Sequence, residues 1–135
     1  MRILLIPIIA ILTACAGSPS PSAPNNDAEA LRNAGVQAAA NENFAFAKEN
    51  LSRSAEMGYY TAQVELAYLL ESSPTPVQDP EQAYVWYSVV IAREGSDTKF
   101  AKEGIARVSS KLDQQALKDA GAKAAEYVEK YGQKI

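Results

Sequence analysis

Three glycines set the interval on which this chain is built. Gly58 closes "SAEMG", Gly95 closes "IAREG" and Gly132 closes "EKYG", so successive ones stand 37 residues apart. Each follows a run with helical periodicity, and glycine enters the left-handed backbone region that ends a helix at the least cost. A period of about 33 to 40 residues accommodates two helices and their turns, and stacking of such units is the mark of a helical solenoid. The expected fold is therefore all-α.

The runs between the glycines support that expectation. In "FAFAKENLSRSAEMG" the apolar or small residues Phe44, Ala47, Leu51, Ser54 and Ala55 share one helical face, with Lys48, Glu49 and Arg53 off it. "DPEQAYVWYSVVIAREG" begins with Asp79 as an N-cap, Pro80 in the first helical position and Gln82 completing a capping box. Ala101, Ile105, Val108 and Leu112 form the stripe of the next helix. Asp113 caps a last one that presents Leu117, Ala120, Ala124, Tyr127, Val128 and Tyr131. Between Ala83 and Ala92 only Ser88 is plainly hydrophilic, so that helix is expected at the centre with neighbours on both sides.

Within this frame, Ala55-Glu56-x-Gly58, Ala62-Gln63 with Leu66, Val77-Gln78-Asp79, Ala83 with Trp86-Tyr87, and Ala92-x-x-Gly95 follow in order. The stretch resembles one unit of the Sel-one-like repeats, a subclass of the tetratricopeptide-like helical repeats. Ala67 stands where the family usually has Gly, and "ESSPTP" replaces a Gly-rich loop. The resemblance is specific over about 40 residues, and generic spacing extends it through Gly35, Ala47 and Leu51 upstream and through Ile105 and Ala106 downstream. It implies a short right-handed α-solenoid of about three antiparallel helix pairs over residues 27–135. Gly35, Ala67 and Ala106 are then equivalent small residues on the first helix of each pair, where the partner helix comes close.

In such stacks the first helices line a concave face. Spacing from the three small residues places Glu29, Arg32 and Val36 on that face, then Thr61, Val64, Tyr68 and Glu71, then Phe100, Glu103 and Arg107. Flat aromatic area at Tyr68 and Phe100, with guanidinium groups at Arg32 and Arg107, is what a peptide-binding groove offers. Tyr59-Tyr60 and Trp86-Tyr87 are expected to serve packing between helices.

The N-terminal segment carries a separate signal. Met1-Arg2 precedes an uncharged apolar run of ten residues, Ile3 to Leu12, the length of a signal-peptide core and about half of what a helix needs to cross a bilayer. The next residues complete "LTAC", with small Thr13 and Ala14 before Cys15. This resembles the lipobox of bacterial lipoproteins. In that family the Cys thiol receives a diacylglyceryl group, the chain is cut just before the Cys, and the freed amino group is usually acylated. The resemblance implies a signal peptide over 1–14 and lipidation at Cys15, with two or three acyl chains holding the protein on a membrane. In Gram-negative lipoproteins an Asp after the Cys favours retention at the inner membrane. Here Ala16 follows, which implies the outer membrane, facing the periplasm. In a Gram-positive envelope the same anchor would sit on the outer leaflet of the cytoplasmic membrane. Residues 15–26, including "AGSPSPSAPNN", read as a disordered Pro/Ser tether that reaches at most roughly 35 Å.

Composition narrows the function. There is no histidine, and Cys15 is the only cysteine. Imidazole general bases, Ser-His and Cys-His nucleophile pairs, thiolate or imidazole metal sites and an intrachain disulfide are excluded. Net charge is −3, which lacks the basic stripe of a nucleic-acid binder. Glu65 and Glu71 are acids without a pocket signal, so catalysis is not expected, nor is a cofactor or metal. The expected role is a membrane-anchored adaptor that holds an envelope protein or peptide in its groove. A second reading on the same fold is an immunity lipoprotein that neutralises a lipase toxin delivered into the periplasm.

Overall fold

The structure, a computed structural model, describes residues 24–135. The expected signal peptide, the expected lipidation site Cys15 and the expected Pro/Ser tether up to residue 23 lie outside the described residues. The described chain is six α-helices without a strand: α1 (Pro24–Ala40), α2 (Phe44–Glu56), α3 (Tyr60–Ser72), α4 (Pro80–Ala92), α5 (Thr98–Ser109) and α6 (Gln114–Tyr131). The expected all-α class holds among these residues. α1 starts at Pro24, three residues ahead of the Asp27 boundary, because proline suits a first helical turn whose N–H groups have no intrahelical acceptor.

The helix starts follow the local chemistry. Asp79 accepts from the Gln82 N–H at 3.0 Å, and Pro80 opens α4. Asp113 accepts from the Ala116 N–H at 2.8 Å, and Asn43 caps α2 through the Phe46 N–H. Ends are less uniform than the glycine interval suggests. Gly58 alone of the three takes the left-handed conformation, at φ 82°. After α4 that conformation falls on Glu94, at φ 56°, rather than on Gly95. Gly95 is held small by close approach, since a Cβ there would lie 2.6 Å from the Tyr60 ring. Gly132 is a C-cap at φ −85°. The equal interval thus joins three glycines with three different physical roles.

α1 and α2 run antiparallel: the Ser54 hydroxyl donates to the Ala28 carbonyl at 2.6 Å, and further along Gly35 faces Leu51. A Cβ on Gly35 would stand 2.7 Å from Leu51 Cγ, so close packing requires glycine there. α4 is the centre, with Ala83, Val85, Trp86, Tyr87, Val89 and Val90 all buried and α3, α5 and α6 packed around it. α6 returns onto α4, where Trp86 meets the Tyr127 and Tyr131 rings at 5.3 and 5.4 Å. The α5 register differs from expectation. Ala106 is exposed, and the buried small residue is Gly104, where a Cβ would sit 2.5 Å from the Tyr87 ring.

Buried Arg93 ties the far end together. It donates to the Gly58 carbonyl at 2.7 Å, to Gln63 Oε1 at 2.9 Å and to the Gln133 carbonyl at 3.0 Å. The α2–α3 turn and the C-terminal residues are thereby fixed to the end of α4. Among the described residues no helix is long and apolar enough to cross a membrane.

Candidate functional site

α1, α3 and α5 lie side by side, with α3 in the middle. From α1, Arg32 Nε donates to Glu65 Oε2 at 2.7 Å while Nη2 donates to Oε1. From α5, Arg107 Nε donates to Glu71 Oε1 and Nη2 to Oε2 at 3.1 Å. Both flanking helices therefore fasten onto α3 through bidentate Arg–carboxylate pairs, the most directional ionic contact available to side chains.

The two clasps differ in depth. Glu71 is 8% exposed and accepts a third hydrogen bond, from the Tyr87 hydroxyl at 2.5 Å. Burial by itself would push the Glu71 carboxyl up, but the hydrogen bonds from Arg107 and Tyr87 outweigh it and hold the carboxyl below the usual range. Burial, reinforced by the carboxylate it donates to, pushes the Tyr87 phenol well above its ordinary value. The hydrogen bond to Glu65 raises Arg32. Arg32, Glu71 and Arg107 are each shifted in the direction that favours the charged form.

Between the clasps stands Tyr68, 52% exposed. On the α5 side its ring packs against Phe100 at 5.9 Å, Phe100 packs edge-on against Tyr87 at 5.9 Å, and Arg107 lies over Phe100 at 5.8 Å. Toward α1 the same ring borders a half-open cavity of about 270 Å³, walled by Val36, Ala39, Phe44, Leu51 and Leu69. Glu65, Ser72 and Ser73 complete its lining. Ser73, the cap residue after α3, is 4% exposed, and its hydroxyl has no hydrogen-bond partner.

The expected groove residues divide accordingly. Val36, Tyr68, Phe100 and Arg107 come to this face, and Val36 shares the cavity with Tyr68. Arg32 is there as well, but its guanidinium, like that of Arg107, is already engaged by a carboxylate of α3 and does not stand open for a ligand. Val64 is half-buried against the core, and Glu103 is exposed with Lys99 of its own helix as its ionic neighbour at 4.0 Å. Glu29 and Thr61 are exposed. Sequence spacing missed the cavity wall of Ala39, Phe44 and Leu69 and the hydroxyl of Ser73. The departure at "ESSPTP", which contains Ser73, was the one signal that pointed there.

Among the described residues no group of three or more His, Cys, Asp or Glu is placed to hold a metal ion. No family model, curated protein or solved structure matches the chain.

Proposed function

We propose that the chain is a lipid-anchored interaction module of a bacterial envelope, whose α1–α3–α5 face holds a segment of a partner protein. Tyr68 carries the reading. A large ring, half exposed, stands on a frame fixed by two ionic clasps and borders an apolar cavity, which is how protein interfaces present an anchor. Lipidation at Cys15 would hold this face near the periplasmic side of the outer membrane, with the Pro/Ser segment as tether. The partner is an envelope protein or peptide; neither nucleic acid, cofactor nor catalysis enters the reading.

The same proposal takes the helices as a short right-handed solenoid of Sel-one-like type built on the α1–α2 and α3–α4 pairs; α5 and α6 each pack on α4 rather than on one another, so the expected third antiparallel pair is not formed. Arg32 and Glu65 are 33 residues apart and Glu71 and Arg107 are 36 apart, so neighbours that run in the same direction meet at about one repeat length. α6 closes the array over the central helix with a polar outer surface, as a terminal repeat requires.

A photo-crosslinking residue placed at Tyr68 in the full-length chain, expressed in cells, tests the partner. One dominant adduct is expected from position 68 and none from Lys118 on α6. Equal labelling from both positions would remove the groove. A secreted lipase as the adduct would replace the adaptor by the immunity reading. Intact-mass analysis of the membrane fraction tests the anchor, and a free thiol at Cys15 would defeat it.

A further inference from the structure

Arg93 is a buried cation that meets no anion. It is 8% exposed, and its three hydrogen bonds go to the Gly58 carbonyl, Gln63 Oε1 and the Gln133 carbonyl, all neutral acceptors. The Tyr60 ring covers its guanidinium carbon at 5.5 Å. Among the described residues no carboxylate lies within 4.0 Å of it. Burial pushes the Arg93 guanidinium below its ordinary value, the opposite direction to Arg32 and Arg107, which each meet a glutamate. A buried charge is costly unless it is paired, and the carbonyl dipoles just beyond α2 and α6 offset only part of that cost.

The guanidinium also keeps a donor in reserve. Nε and Nη1 are engaged, whereas Nη2 has no partner among the described residues. Ser73 Oγ is the only sealed side-chain nitrogen or oxygen among them that lacks a hydrogen bond, so Nη2 retains accessible surface. Arg93 lines an open hollow of about 460 Å³ together with Lys130, Glu56 and Gln133, and Nη2 is the edge left to face it. Lys130 has no carboxylate within 4.0 Å either, and its ammonium stands 5.1 Å from the centre of the Tyr131 ring. Arg93 and Lys130 against Glu56 leave the lining with one net positive charge.

We propose that this hollow binds a carboxylate, with Arg93 Nη2 as the buried donor and Lys130 as the second cation. The site shares no residue with the α1–α3–α5 face and does not depend on the partner reading. A neutral or cationic group would leave the Arg93 charge uncompensated. A monoanion matches the net charge of the lining, whereas a dianion exceeds it, and a carboxylate oxygen is a strong acceptor for the free amino group.

The test replaces sodium chloride by sodium acetate at constant ionic strength and near neutral pH, in the isotope-labelled full-length chain in a nonionic detergent. Saturable shifts are expected at the Arg93 Nε–H and at the Gly58 and Gln133 amides, with none at the Arg107 Nε–H, whose guanidinium Glu71 already holds. Lys130→Gln is expected to weaken acetate about 3- to 5-fold and Glu56→Gln to tighten it about 2- to 3-fold, the size of a partly exposed charge pair. Both positions are exposed, so the fold tolerates either change. Shifts that stay linear in acetate, an acetate affinity unchanged in Lys130→Gln, or tighter binding of sulfate, a dianion, than of acetate would each overturn the carboxylate assignment.

Discussion

The junction between α1 and α3 and the junction between α3 and α5 are closed by the same device and filled in opposite ways. Each has a bidentate Arg–Glu clasp onto α3. At the α3–α5 junction Phe100 occupies the space beside Tyr68, and Tyr87 backs both the ring and the carboxylate. At the α1–α3 junction the corresponding space is bordered by Val36 and Ala39, and about 270 Å³ stays open. The difference separates two tasks within one repeated arrangement. One junction is filled by side chains of the chain itself, and the other is left open, which is where the proposed partner would sit.

The largest effect should come from breaking the filled junction. Glu71→Ala removes the acceptor of a buried phenol and the partner of Arg107, whose side chain at 44% exposure can recover part of its hydration. A loss of about 3 kcal/mol in urea unfolding is expected, against about 0.5–1 kcal/mol for Glu65→Ala, whose pair is less buried and lacks a third partner. Equal losses would erase the distinction between the clasps.

Phe100→Ala comes next, because it should turn the α3–α5 junction into a likeness of its neighbour. Phe100 is only half-buried, so the cost is expected near 2 kcal/mol rather than at the top of the range for core Phe truncations. The loss should be accompanied by new binding of toluene at that junction. A cost below about 0.5 kcal/mol would show that the ring is not part of the lock.

Acid should weaken the filled junction through Glu71. Its carboxyl lies lower in the folded chain than in the unfolded one, so its contribution is complete above the ordinary carboxylate range, about pH 4–5, and is lost as pH falls through the folded value. Comparing the native chain with Glu71→Gln by thermal unfolding, the stability gap of about 1–2 kcal/mol at pH 7 should shrink steadily from pH 5 to pH 3. A gap that widens toward low pH would contradict the direction of the shift.

What could be read from the sequence was whatever is local. The caps at Asp79 and Asp113 rest on contacts within one turn, and they and the stripes of α2 and α6 stand where the local pattern puts them. α4 was recognisable as the centre because burial on all sides leaves no polar face to hide. Register between helices was another matter. Gly104 and Ala106 are both small and close together, and only the position of the Tyr87 ring decides which one packs. The clasps join residues 33 and 36 apart, so Arg32 and Arg107 looked open to a ligand until their partners on α3 were located. A cavity is harder still to foresee, since it consists of what Val36, Ala39 and Ser73 fail to fill once three helices have set their distance.

The smallest effect should be the most discriminating. Ala39→Leu puts a branched side chain into the open junction from a helix that accepts leucine almost as readily as alanine. If that junction were a defect of packing, filling it would stabilise the chain and leave its partner capture alone. A ligand site behaves differently: stability should rise by about 0.5 kcal/mol as apolar surface is buried, while capture of the partner at Tyr68 falls at least 10-fold. The opposed signs matter because a destabilising substitution could lose binding merely by loosening the fold, whereas a chain that is firmer and yet binds less has lost the space itself.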